Sequence, residues 1–441
     1  YKGNGRTHPA DPVIKKTAFY LAGNQEKTLL EQFQTNTHKM PRHNRNENLF
    51  LIARPFPAQN ILSMVNGEKI MSGSTSLNTQ AVLSMKGSGY YSARTIGAKH
   101  AIESTLPLML AALESLPELP VLKLADYGAA DGGTSQYMWS QLISGIRASG
   151  DNRPIEIIYT DLASNDFSTL FRTMQGMQGN SADAYQIQHD NVFVHGCGTG
   201  FHQQLMAPET LSLGFSATAM HYVSEKPCQI TDHVHMVGAN TKERAEFTRQ
   251  AARDWERILL GRAAELAKGG RFICMNFGID EEGRYLGHTG GMNMFDRFSA
   301  HWAALRDGGV ISSDEFVKAT FAQHYRTVEE FTAPFSDPSS SVSKAGLKLL
   351  SVNTRLTPCP FRLAYDQSEG KMSSAEFAAT LIPTMRSWSE TVFRTALEGR
   401  AENEIDAIID QFYGAYEAEV ADNPDGHAMD YVHIILEIEK A

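Results

Sequence analysis

Cysteine is scarce in this chain, with four thiols in 441 residues (Cys197, Cys228, Cys274 and Cys359). They stand 31, 46 and 85 positions apart, without the paired spacing of a zinc site, so no metal is expected. The scarcity excludes a disulfide scaffold and points to a reduced, cytoplasmic environment. Long apolar runs are missing too. Nothing approaches the ~18 consecutive apolar residues of a membrane span, and the first thirty residues lack the apolar core and cleavage site of a secretory signal, so no membrane partner is expected. Positive charge is in short supply: Lys and Arg total 40 against 50 Asp and Glu, a formal charge of -10. That balance argues against sequence-independent binding to phosphate backbones or anionic lipid, and no nucleic acid is expected as a partner. What is present is core-forming material. With 42% hydrophobic, 9% aromatic and 20% charged residues, the chain can bury one large core or two moderate ones.

Residues 1–84 form a polar N-terminal extension without a motif, expected to pack on the body or on a second subunit. From Met85 the pattern changes. A glycine-rich entry (Met85-Lys-Gly-Ser-Gly-Tyr-Tyr91) leads into one helical run with apolar residues at Ile96, Ala98, Ile102, Leu106 and Leu110. A strand at 121–125 ends in Asp126-Tyr-Gly-Ala-Ala-Asp-Gly-Gly133-Thr134 and opens a helix marked by Met138, Leu142 and Ile146. A second strand at 155–159 ends in Thr160-Asp161-Leu162. Strand, glycine turn, helix, strand and acidic residue make a βαβ unit of a parallel sheet. Further strands are expected at 192–194, 211–215 and 271–277, the last after a helix over 246–268 closed by Gly269-Gly270. The fold class is therefore α/β, with an α/β core over 85–280. Residues 281–345 turn helical and aromatic, as a cap would, and 346–441 complete core and cap with strands at 347–353 and 431–438.

The glycine turn sits where ligands bind in such sheets, outside the carboxyl ends of the strands. Gly128-Ala-Ala-Asp-Gly-Gly is neither the dinucleotide fingerprint nor a P-loop, so nicotinamide and ATP chemistry lose support. Taken singly, the turn is open to a purely structural reading. Asp161 is placed either to accept ribose hydroxyls or, with Asp166 nearby, to cap the next helix.

Several blocks, in order, resemble the SABATH methyltransferases. Met85-Lys-Gly-Ser-Gly-Tyr-Tyr-Ser-Ala-Arg-Thr95, Ala125-Asp-Tyr-Gly-Ala-Ala-Asp-Gly132 and Thr160-Asp-Leu-Ala-Ser-Asn-Asp-Phe167 are similar to that family's opening, glycine-turn and acidic blocks. Gly198-Thr-Gly-Phe-His-Gln-Gln-Leu-Met206 and Ser216-Ala-Thr-Ala-Met-His-Tyr-Val-Ser224 follow the same order. The resemblance covers about four fifths of the chain. It implies a Rossmann-like class I methyltransferase sheet with a helical cap over the substrate site, S-adenosylmethionine as methyl donor, a small carboxylic acid as substrate, aromatic or dicarboxylic, and a homodimer. By position, the donor would be held by Tyr91, Thr95, Gly128, Ala129, Thr134, Asp161, Leu162, Gly200 and Phe201, with small residues at 128 and 129 admitting backbone donors.

The family holds its carboxylate with a Gln and a Trp, and here the chain departs. Tyr222 occupies the Trp position and keeps a hydroxyl donor. The Gln position falls on Ala98, or on Lys99 if the alignment slides by one, with His100, His202 and His221 as other donors. The residues expected to meet the acid are thus Tyr222, His221 and Lys99. A carboxylate with a pKa near ~4 is ionised at neutral pH, so catalysis reduces to proximity, orientation and desolvation, with no catalytic base. Cap aromatics Phe295, Phe298, Trp302, Phe321 and Tyr325 are candidates for an apolar pocket, and Asp232-His-Val-His235 reads as structural. Methylation of a ring nitrogen, or binding of a nucleoside or a partner without catalysis, are the competing readings.

Overall fold

The computed structural model describes residues 95–441. The extension over 1–84 and Tyr91 lie outside the described residues. Where one helical run was expected, there are two helices, α1 (Ile96–Glu103) and α2 (Leu106–Leu113). Pro107 is the reason: it has no N–H to donate and belongs in the first turn of a new helix.

The alternation that follows builds β1 (Leu122–Tyr127), α3 (Gln136–Ala148), β2 (Ile155–Thr160), α4 (Phe167–Met174), the single turn α5 (Tyr185–Gln188), β3 (Val192–Cys197) and β4 (Leu211–Ala217). Then come α6 (Thr241–Glu265) and β5 (Leu266–Ile279). The expected stop at Gly269-Gly270 is corrected. The helix ends at Glu265, Leu266 already pairs with Leu211, and the glycines sit inside a bulge that separates this pair from Leu213–Arg271. At the other end an Asn240/Glu243 capping box fixes the start.

The next stretch holds α7 (Met294–Asp307), α8 (Ser313–Lys318), β6 (Arg326–Thr327), α9 (Val328–Ser336) and α10 (Ser341–Lys344). After β7 (Leu347–Thr357) the chain makes α11 (Pro360–Asp366), α12 (Ser374–Ala396) and α13 (Glu402–Asp422), then ends the sheet with β8 (Tyr431–Lys440). Strand order is β3-β2-β1-β4-β5-β8-β7, with β6 beside the end of β5. The first five run parallel and β8 is antiparallel to both neighbours. Strands β1 and β4 are buried almost throughout because both faces of a parallel sheet are covered by helices.

Two apolar layers sandwich the sheet, one around Trp139, Leu142 and Phe215, the other around Trp255, Leu259 and Phe272. A third core joins α7, α8, α12 and α13 through Phe298, Trp302, Phe316, Phe393 and Phe412, and reaches the sheet at Phe277 and Tyr431. The helical layer therefore draws on segments both before and after β7. No helix among the described residues is long and apolar enough to cross a membrane.

Candidate active site

Between β1 and β4 the strand order reverses, which parts the loops at their carboxyl ends and leaves the crevice where open α/β sheets bind ligands. Here the crevice is a cleft with about 1120 Å³ of open space. One half is lined by Thr95, by Gly128, Ala129, Ala130 and Thr134 after β1, by Asp161, Leu162 and Asn165 after β2, and by Gly200, Phe201 and His202 after β3. The other half adds Ala98, Ala217 at the end of β4 and Thr218, Ala219, His221 and Tyr222 after it, Phe277, Leu286, Gln323, Tyr325, Trp388, Met429 and Tyr431.

The first half is built around a clamped turn. Gly128 has φ +77°, and an added Cβ would lie 2.4 Å from the Ala219 Cβ, so only glycine fits. Its N–H and that of Ala129 both donate to the Thr160 carbonyl, at 2.8 and 3.1 Å. The expectation that these N–H groups would face a ligand is thus corrected: the small side chains leave room, but the donors are engaged. Ala130 takes a left-handed φ of +50° and is gripped from both sides. Its N–H donates to Asp161 Oδ2 at 2.7 Å, and its carbonyl accepts from Asn165 Nδ2 at 2.7 Å. Asp161 Oδ1 accepts the Leu162 N–H at 2.7 Å. Burial pushes the Asp161 carboxyl up, against the pull of those two N–H donors. Helix capping falls to Asp166, which accepts the Thr169 N–H, so Asp161 keeps lone pairs for a ligand. Asn165 was missed from sequence, although it lies in the block that carries Asp161.

The loop with Gly200 and Phe201 is latched from beneath by a fully buried ion pair on α6. Arg262 donates to the carbonyls of Phe201 and Gln203 at 2.9 and 2.8 Å and to Glu265 at 2.8 and 2.7 Å. Glu265 also accepts from the Leu205 N–H and the Tyr127 hydroxyl.

In the second half, the segment after β4 is held by Arg326, whose guanidinium donates to the carbonyls of Met220 and Ala251 at 2.8 and 2.7 Å; burial lowers its pKa to about 10. His221 and Tyr222 both line the cleft. Burial pulls the His221 imidazole down to about 3, so it is neutral, with Nδ1 3.3 Å from the Asn276 side-chain oxygen. Lys99 does not reach the cleft. It pairs with Glu103 at 3.8 Å, and His100 is exposed, because Ala98 holds the inward position and the next two residues turn 100° and 200° away around α1. The cap aromatics are corrected likewise. Phe295, Phe298, Trp302 and Phe321 are spent in the cap core, and Tyr325 alone of the five meets the cleft, where Phe277, Trp388 and Tyr431 supply the other walls. His233 bonds Asp296 and the His235 carbonyl. No group of three His, Cys, Asp or Glu side chains among the described residues is placed to hold a metal.

A family model described as SAM-dependent carboxyl methyltransferase matches residues 82–441. The chain belongs to that family. Among its relatives, Methyltransferase FUS9 of Gibberella moniliformis is 29% identical over 191 residues, 43% of this chain and 50% of that protein. Indole-3-acetate O-methyltransferase 1 of Arabidopsis thaliana is 24% identical over 274 residues, 57% of this chain and 70% of that one. The alignments thus span from half to about two thirds of these relatives. A solved loganic acid methyltransferase with SAH superposes with a TM-score of 0.62 at 17% identity, covering 81% of this chain and 99% of that one. The capped α/β sheet is therefore a carboxyl methyltransferase fold. In such a fold S-adenosylmethionine would fit against the clamped turn, Asp161 and the Gly200 loop, which offer a turn without a side chain at 128, a carboxylate with lone pairs left over, and apolar Leu162 and Phe201 beside it.

Proposed function

We propose that this protein transfers the methyl group of S-adenosylmethionine to the carboxylate of a small organic acid with an apolar body. One observation carries the reading. The donor half of the cleft is continuous with an aromatic-walled chamber, and the described residues lining both include no Lys or Arg and Asp161 as their one carboxylate. Such a chamber suits a substrate that arrives as its own nucleophile, since it has few groups for extensive acid–base work.

In this reading Thr95, Gly128, Ala129, Thr134, Asp161, Leu162, Gly200 and Phe201 hold the donor, with Asp161 accepting from its ribose hydroxyls. Tyr91, outside the described residues, joins them on the strength of the family resemblance. When bound, S-adenosylmethionine supplies an electrophilic methyl for a carboxylate oxygen. The protein's own contribution is to orient the acid with neutral donors such as the Tyr222 hydroxyl and to strip water from it with Phe277, Trp388 and Tyr431. Neutral donors matter because they align a carboxylate without neutralising the charge that makes it nucleophilic.

A homodimer is part of the same reading, supported by the resemblance and tested by sedimentation equilibrium. A cytoplasmic location is supported by the four unpaired cysteines. The function itself is tested by mass spectrometry of methyl esters formed from S-adenosylmethionine and a panel of aromatic, aliphatic and dicarboxylic acids, with xanthines included. Ester from an apolar acid is the expected product. Methylated xanthine with no ester, or donor binding with no product, would overturn the reading.

A further inference from the structure

Ala98 lines the cleft with a side chain that cannot donate a hydrogen bond, so one of the two oxygens of a bound carboxylate needs a partner from elsewhere. The structure supplies a side-chain amide on another part of the chain. Gln323, between α8 and β6, is 1% exposed and faces the cleft. Its backbone pairs antiparallel with Tyr222. The flanking bonds run from the Val223 N–H to the Ala322 carbonyl at 3.0 Å and from the His324 N–H to the His221 carbonyl at 2.8 Å. This is the pattern of a non-hydrogen-bonded pair, in which opposed side chains stand on one face at their closest cross-strand approach. Tyr222 and Gln323 are thus set side by side on the same wall.

The orientation of the amide follows from its neighbours. The Tyr325 hydroxyl donates to Gln323 Oε1 at 3.5 Å, and the His235 ring lies against the same side chain. With the oxygen turned to these groups, the two N–H bonds of Nε2 are the ones directed to the cleft.

We propose that Gln323 is a substrate-binding residue: its Nε2 donates to one carboxylate oxygen of the acid while the Tyr222 hydroxyl donates to the other. This rests on the carboxyl methyltransferase reading and deepens it. The clamp is uncharged at both points and has no cation beside it among the described lining residues. It therefore selects monocarboxylates, because a second carboxylate in the chamber would be desolvated without a counter-charge.

The test compares Gln323→Leu and Gln323→Glu with the parent enzyme on the best monocarboxylic acid of the panel and on its dicarboxylic analogue. Calorimetric binding of S-adenosylhomocysteine reports whether each variant retains a folded donor site. With that affinity kept within about twofold, Gln323→Leu is expected to raise the KM for the acid at least about tenfold, as for loss of one hydrogen bond to a charged group. Gln323→Glu, nearly the same shape, is expected to be worse than Leu because it sets a carboxylate against the substrate's own. The parent enzyme is expected to prefer the monoacid at least about tenfold in kcat/KM. Unchanged acid KM in a folded Gln323→Leu, Glu no worse than Leu, or equal use of the diacid would each overturn the proposal. If the parent enzyme esterifies no acid at all, it is the underlying function that fails, and that result is read before any variant is made.

Discussion

Asp161 has two tasks, since the carboxylate that would meet a ribose also ties the Ala130 and Leu162 N–H groups into the turn. Asp161→Asn replaces one acceptor oxygen by a donor that then opposes an N–H. We expect S-adenosylhomocysteine affinity to fall at least about tenfold, with a loss of about 1–3 kcal/mol in stability, read by calorimetry and thermal unfolding. Tyr222→Phe separates the two halves of the site, because it keeps the ring and removes only the hydroxyl. The acid KM should rise about tenfold while donor affinity holds, and equal loss of both in steady-state assays would refute the assignment. His221 makes a different claim. Its pKa of about 3 lies below the ordinary 6.5, so it stays neutral throughout the working range, and kcat/KM between pH 5.5 and 8 should show no limb from it. A limb near about 6.5 that disappears in His221→Gln would show the ring titrating and contradict its burial.

Among the elements, what was legible depended on whether the deciding force is local. The βαβ unit could be read because glycines, apolar alternation and Asp161 lie within about forty residues of one another in the chain. Several helix starts carry capping boxes, with Ser312/Glu315, Thr327/Glu330 and Ser373/Glu376 three residues apart, a signal just as local. The second half of the cleft was not, because α12 brings Trp388 from more than 150 residues beyond Tyr222, and periodicity marks a buried face without saying what it covers. That is why Phe295 and Phe298 looked like pocket residues and proved to be cap core. Two predictions belong here. Trp388→Ala should enlarge the chamber and shift preference toward bulkier acids in a competition assay, with donor affinity retained. Arg262→Met should free the carbonyls of Phe201 and Gln203 and leave Glu265 buried without its partner. We expect a cost of about 3–5 kcal/mol and, in whatever folded fraction remains, a KM for S-adenosylmethionine raised more than that for the acid. Equal effects on both would count against the latch.

For the molecule as a whole, burial of neutral imidazoles sets the acid limit. His221 and His433 are both pulled to about 3, and His235 is pulled well below its ordinary value, each by desolvation. The unfolded chain binds these protons near 6.5 and the folded one does not, so stability is complete above about pH 6.5 and falls as pH drops toward 3. Asp126, pushed up to about 6 by burial, and Asp161, pushed up by burial as well, work the other way. Each net proton is worth about 1.4 kcal/mol per pH unit, so thermal unfolding should move to lower temperature between pH 7 and 5. A midpoint that stays level or rises would show that the histidines are charged in the folded state. The placement of β8 has a consequence for synthesis. It lies between β5 and β7, and Met429 and Tyr431 at its entry complete the cleft. On the ribosome, the five parallel strands can emerge and begin to pair while the cleft still lacks a wall, which is laid only once β8 has emerged and paired with β5. Chains cut short between β5 and β8 would yield a partly built sheet with an open edge at β5, a form suited to capture by chaperones.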